Sequence, residues 1–289
     1  MRVNIKDCME YPKYSDEWFL NQYLKYGSVE SALKNNGFAL PISVAQFHRL
    51  VKERGIIKTI GRREVDLSEI LYFFLKKALE PTLALQTVYW QMPANFRTSL
   101  SSLHRIYKRI LDRKPTRSAT ALIIHPQNNA DLVLVGRETQ TRAFYGKHKG
   151  DISIPMSFSK RNEDPKTAIL RVLQQEFSTK LAIERKLVDL LPSNPSPCVY
   201  LDILDVEVAA YEIFLPEKLA DLKFCSSYKL TNHRFDSVDA FLKSDIPVRS
   251  GVIEILTGSG KCGSNLNRQL IKVAPNLKFA YDFEKYMQE

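Results

Sequence analysis

The chain has 289 residues, 44% hydrophobic and 26% charged, the balance of a soluble globular protein with room for two cores of ordinary size. No apolar run approaches the length of a membrane span, residues 1–18 hold no signal-peptide core, and Cys8, Cys198, Cys225 and Cys262 form no C-x-x-C pair. These features argue against a membrane protein, a zinc site and a disulfide framework, and a cytoplasmic location is expected.

The net charge of +10 is informative because of where it sits. Ser28–Arg63 carries seven Lys/Arg against two acids, and Arg97–Ser118 carries seven against Asp112 alone, so these two windows account for the whole excess. Positive charge concentrated in this way is the electrostatic footprint of nucleic-acid binding, although a solvated basic face without a partner would show the same counts.

Asp16–Tyr26 reads as a helix ended by Gly27. Ser28 caps a second short helix closed by Gly37, and Ser43 caps a third, VAQFHRLVKER, closed by Gly55. Three helices with a short turn before the last describe a helix-turn-helix. Phe47, Leu50 and Val51 fall at i, i+3 and i+4 and should face inward, leaving Ser43, Gln46, His48, Arg49 and Lys52 toward solvent. Arg62 and Arg63 belong to a segment that reads either as a basic wing or as a connector.

Ser68–Leu79 reads as another helix, Thr82–Gln91 follows, and a last helix begins near Ser99. Ser43–Lys52 aligns without gaps to Ser99–Lys108 at an offset of 56, with Ser, His, Arg and Lys coinciding. Two helix-turn-helix units in tandem are therefore expected, over about 16–63 and 68–114. The second presents Ser102, His104, Arg105, Lys108 and Arg109. Such helices suit double-stranded DNA, since Lys and Arg neutralise phosphates, Arg49 and Arg105 reach guanine edges, and Gln46 reaches adenine.

After the linker Pro115–Ser118, Ala119–His125 and Leu132–Arg137 read as strands joined by the turn-rich Gln127–Asp131. A basic loop, Thr139–Lys149, leads to Gly150–Ser178, read as a half-buried strand, a polar loop and an amphipathic helix. Asp164 is its N-cap and Pro165 its first residue. Further strands are expected in Val199–Phe214 and Tyr228–Arg234, helical turns at Glu217–Leu222 and Asp236–Leu242, and a final helix from Val252. Gly258–Gly263 lacks the spacing of a phosphate-binding P-loop and is expected to be a flexible loop.

The stretch Ser157–Ser178 resembles the Nudix box, the loop–helix signature of hydrolases that cleave nucleoside diphosphates linked to another group. Glu163, Arg171, Leu173 and Glu176 match the pattern; Ser157, Val172, Gln175 and Ser178 depart from it. The resemblance implies a helix whose carboxylates gather magnesium, and here Val172 and Gln175 stand where two of them belong. It implies a Nudix-like α/β/α sandwich over 119–289 whose metal site has decayed, with no cofactor and no catalytic residue expected; with the all-α domain read from the helices over 1–115, the chain is expected to be α+β. Arg137, Arg142, Lys147, Lys149, Glu163, Arg171 and Glu176 are the candidate ligand-binding residues, with Arg171 equally an ion-pair partner of a box carboxylate.

The function expected is a sequence-specific DNA-binding transcription regulator that senses a nucleotide-type effector or assembles through its second domain; a homodimer is left open. Two other readings stay open. One is a magnesium-dependent Nudix hydrolase with an atypical metal site, and the other is a non-specific RNA- or DNA-binding protein.

Overall fold

Serine hydroxyls begin the first three helices. Ser15, Ser28 and Ser43 each accept a hydrogen bond from a backbone N–H three residues on, at the starts of α1 (Asp16–Tyr26), α2 (Val29–Asn35) and α3 (Val44–Glu53). Gly27 ends α1 in the left-handed conformation, as expected of a glycine after a helix. Phe47, Leu50 and Val51 face inward from α3, so the apolar stripe is where the spacing puts it.

The computed structural model describes residues 11–58, 84–91, 99–101, 104, 105, 108, 115, 117–141, 146–160, 162–203, 206–221, 223, 225–239, 246–260 and 271–273. The helix expected over Ser68–Leu79 lies outside them, as do Arg62, Arg63, Ser102, Arg109, Arg142, Cys8 and Cys262. A fourth helix, α4 (Leu85–Gln91), is present, and Leu100, Ser101, His104, Arg105 and Lys108 are helical.

Among the described residues, eight strands form two sheets. In chain order they are β1 (Arg117–Pro126), β2 (Leu132–Glu138), β3 (Ile152–Ser153), β4 (Met156–Ser159), β5 (Val199–Ile203), β6 (Val206–Leu215), β7 (Leu230–Ser237) and β8 (Ile271–Val273). The first sheet is mixed, in the order β4-β1-β6-β5-β8, with β1 parallel to β6 and antiparallel to β4. The second is β3-β2-β7, antiparallel throughout.

Strand β1 lies between two layers, which explains its unbroken apolar run. Leu122 and Ile124 point to one side, together with Tyr211 and Ile213 of β6. Ala121 and Ile123 point to the other, with Val208 and Ala210. The first side receives the box helix α5 (Pro165–Val172), its π-helical continuation Leu173–Phe177 and α6 (Thr179–Ile183). The second receives the smaller sheet and α7 (Val252–Gly260). Helices thus flank the main sheet on both faces, and the α+β class read from the sequence holds.

Three local expectations are corrected. Ile152 and Ile154 do not share one half-buried strand: the chain leaves the small sheet after Ser153 and enters the large one at Met156, and Asp151–Met156 is buried throughout. The stripe expected to be buried along the box helix, Ala168, Leu170, Val172, Leu173 and Phe177, holds except at Leu170, which is only partly buried while its neighbour Ile169 is fully buried. Gly258–Gly260 is not loop but the end of α7, where Gly258 is buried.

The helical unit packs on the box side of the sheet. One continuous apolar cluster joins Phe19, Leu20, Phe47 and Val51 to Val172, Leu173, Phe177 and Leu181. Fully burying each of the large members contributes about 1.5–3 kcal/mol. Polar contacts set the register. Gln174 accepts from the Ile57 N–H at 2.9 Å and donates to the Gly55 carbonyl at 3.0 Å, and Tyr228 donates to Asn21 Oδ1 at 2.7 Å. Gly55–Lys58 is therefore a connector laid along the box helix.

Arg171, with 1% of its side chain exposed, donates through Nε to the Lys58 carbonyl at 3.1 Å and through both terminal nitrogens to Glu163. Burial alone would raise the Glu163 pKa. The hydrogen bonds from Arg171 and the Lys160 N–H, together with the arginine's charge, outweigh it and hold the carboxyl below its ordinary range. Removing one member of such a pair strands the other charge. Arg171→Met should cost about 3–5 kcal/mol in urea unfolding, and adding Glu163→Leu should recover most of that loss. Equal losses in the single and double variants would mean that the pair contributes shape and not charge compensation.

Candidate ligand site

The π-helical turn Leu173–Phe177 widens the box helix where its polar residues fall, and turns of this kind are frequent at functional sites. Gln174, Gln175 and Glu176 are all buried, yet each meets a different neighbour. Gln174 holds the connector after α3. Gln175 Oε1 accepts from Lys229 Nζ and, at 3.3 Å, from Ser157 Oγ. Glu176 Oε2 accepts from the Met156 N–H at 2.7 Å, and its Oε1 lies 3.7 Å from Lys229 Nζ.

A second carboxylate joins from β2. Gly136 sits at a bulge between β2 and β7, where a Cβ would come within 3.1 Å of Leu230 Cβ and 3.2 Å of the Thr231 carbonyl. The bulge re-aims the residues that follow it, and Glu138 is buried, paired with Lys147 and with Arg249 Nη1 at 2.9 Å. His233 Nε2 lies 3.1 Å from the Glu176 carbonyl, and burial lowers its pKa, which favours the neutral ring. The result is a polar cluster of Glu138, Glu176, Lys147, Lys229, Arg249, Gln175 and His233.

Burial raises the Glu176 pKa above the usual carboxylate range, against the attraction of Lys229; Glu138 pushes it the same way. Burial lowers that of Lys229, and Glu176 opposes this; the charges of Lys147 and Arg249 add to the lowering. Both shifts describe charge taken out of water without full compensation.

The donor set does not fit magnesium, a hard cation that needs several oxygens. Glu163 is closed against Arg171. Val172 is packed into the apolar core. Gln175 is neutral and already bonded to an ammonium. Among the described residues, no group of three or more His, Cys, Asp and Glu side chains is arranged to hold a metal ion. At Ser157 and Ser178, where the resemblance would expect glycine, neither residue has a positive φ, and Ser178 Oγ caps α6 through the Leu181 N–H.

Of the residues singled out from the sequence, the fold brings Lys147 and Glu176 into the cluster. Arg137 lies at its margin, half-buried, donating to the Gly150 carbonyl at 2.8 Å. Lys149 is exposed, and Arg171 and Glu163 are occupied with each other. On α3 the outward side chains differ in freedom. Ser43 and Gln46 bond to each other's backbone N–H in a capping box, and His48 Nε2 lies 3.3 Å from Glu30 Oε1. Arg49 and Lys52 are exposed, as are His104, Arg105 and Lys108 further along. Sequence reading missed Glu138, Lys229, His233 and Arg249. A glutamate ending the apolar run LVLVGRE was the one available signal, since the other three reach the cluster only through the pairing of β2 with β7 and the bridge from Ile152 to Val248.

No family model matches the chain, and no curated protein matches it. Solved structures do match part of it. An ADP-ribose pyrophosphatase from Streptococcus suis is 14% identical over 54% of this chain and 98% of its own, with a TM-score of 0.37. A MutT protein from Methanosarcina mazei is 14% identical over 51% and 95%, also at 0.37. An Ap4A hydrolase from Caenorhabditis elegans is 12% identical over 50% and 96%, at 0.34. Scores this far below 0.5 carry no chemistry across to this chain. Among the described residues no helix is long and apolar enough to cross a membrane.

The raised Glu176 pKa has a measurable sign. Its folded state holds the proton more tightly than the unfolded state. The stabilisation is thus complete below the unfolded value and is lost as pH rises through the folded one. Glu176→Gln keeps an acceptor for the Met156 N–H and should flatten that decline in a series of urea unfolding curves at increasing pH. An unchanged slope would place the titration elsewhere.

Proposed function

We propose that this protein is a DNA-binding regulator whose Nudix-like half binds a nucleotide-type anion without hydrolysing it and passes the state of that site to the helical unit. The observation that carries this reading is the π-helical turn. Gln175 and Glu176 belong to the charged cluster, while the adjacent Gln174 grips the connector that follows α3. A ligand that shifts this turn therefore acts on the base of the proposed recognition helix, and it can shift it only by its difference in affinity for two arrangements.

Two further observations support the parts. Arg49 and Lys52 stand exposed on α3, away from its buried apolar stripe, and are free to meet phosphate or base edges. The box carboxylates have protein cations as partners, which favours retention of a ligand over metal-assisted turnover.

Selection of binding sites from random duplexes, with and without a nucleotide library, tests the reading directly. Arg49→Ala and Arg105→Ala should each weaken binding to a selected duplex by about 1–3 kcal/mol while sparing random duplex. Equal affinity of the parent protein for all duplexes and for RNA would replace specific recognition with simple phosphate binding. Magnesium-dependent hydrolysis of ADP-ribose or dinucleotide polyphosphates, lost in Glu176→Gln, would make the protein an enzyme instead. Gln174→Ala should leave ligand affinity near the parent value but erase the ligand's effect on DNA affinity, an effect expected at roughly 5–150-fold. A Gln174→Ala variant with the parent's full response would sever the proposed route.

A further inference from the structure

The polar side chains that open α3 are engaged by its own backbone, and the outward chemistry left in its first turn is apolar. Resting on the DNA-binding reading above, we propose that this turn recognises thymine by its 5-methyl group, through Val44 and Ala45, with Phe38 of the preceding turn as a further apolar contact to the duplex.

The capping box decides what the turn can present. Ser43 Oγ accepts from the Gln46 N–H at 3.2 Å, and Gln46 Oε1 accepts from the Ser43 N–H at 3.0 Å. Bidentate pairing with adenine needs that oxygen as well as the amide nitrogen, so Gln46 cannot provide it while the cap holds. Val44, by contrast, is 49% exposed, and Ala45 is exposed beside it.

Helical spacing puts Ala45, Arg49 and Lys52 in one row, at i, i+4 and i+7, on the side away from the buried Phe47, Leu50 and Val51. Methyl groups at the tip with cations one and two turns on are complementary to a major groove. Its floor carries the thymine methyl, which small apolar side chains contact, and its walls carry phosphates. A stable protein interface buries about 1,000 Å² or more, which a few apolar side chains set among cations do not supply. A groove asks only for a few methyl contacts between charges that hold phosphate.

Phe38 adds an independent observation. It is 71% exposed, and its φ of 58° lies in the left-handed region, where a bulky side chain is an outlier. It belongs to neither apolar cluster, so among the described residues no core contact offsets that strain. Strained residues of this kind gather at ligand-binding segments. Lys34, exposed near the end of α2, adds a further cation close to it in the chain.

The test compares a duplex selected by the full chain with the same duplex carrying deoxyuridine for thymidine, a change that removes only the 5-methyl groups. Fluorescence anisotropy should show binding weakened about fourfold for each methyl contacted. Val44→Thr combined with Ala45→Ser should bind both duplexes alike, whereas Arg49→Ala should weaken both by one factor and keep the preference. Asparagine tolerates the left-handed conformation, so Phe38→Asn should raise the urea midpoint and yet weaken duplex binding roughly fivefold. A change in stability with binding untouched overturns the part assigned to Phe38. Equal affinity for the thymidine and deoxyuridine duplexes, or selected sites without thymine, overturns the proposal and leaves the DNA-binding reading standing. That comparison uses the unaltered chain and so decides the matter even where a variant fails to fold. Self-association of the chain that Phe38→Asn abolishes would assign the surface to a second copy and overturn the proposal as well. A chain that enriches no duplex at all overturns both readings.

Discussion

A guanidinium with almost no contact with water organises this molecule. Arg171 cannot lose its charge, so every direction in which it points must supply an acceptor. Glu163 supplies two from the loop ahead of the box helix, and the Lys58 carbonyl supplies one from the segment after α3. The pair thereby ties the box loop, the box helix and the helical unit into one arrangement. Any larger motion of that unit has to break the hydrogen bond from Arg171 to the Lys58 carbonyl.

The π-helical turn completes what Arg171 begins. In a regular helix three consecutive residues point in three directions, and only a minority of them would meet any one wall. Widening the turn lets Gln174, Gln175 and Glu176 all remain inside while serving different neighbours. The cost is a local loss of regular hydrogen bonding, offset by the contacts to Gly55, Ile57, Met156 and Lys229. This is the place where the charged cluster and the helical unit are one residue apart, and it gives the proposed regulation a short physical route.

The charged cluster itself differs from a metal centre in kind. A divalent ion is a mobile, removable charge that polarises what it binds, whereas an ammonium on a strand-end lysine is fixed, monovalent and a hydrogen-bond donor. Such a group can hold an anion in place but offers less to a departing phosphate.

Much of the architecture was legible in the chain because its causes are local. Serine caps, glycine stops, the alternation in β6 and the Asp164-Pro165 helix start act over a few residues, and the elements begin and end close to where those signals put them. The expectation that Arg171 pairs with a carboxylate of this stretch was also legible, and its partner is Glu163. What the linear order could not carry was partnership. Glu138, Lys229 and Arg249 converge from positions 138, 229 and 249 only when β2 pairs with β7 and the segment before α7 crosses Ile152. Likewise, nothing in QQE marks one side chain for the helical unit and the next for the charged cluster. The type and boundaries of the elements came from short-range sterics and hydrogen bonding; the identity of the cation beside Glu176 came from packing over long separations, where only the folded chain decides which charges meet.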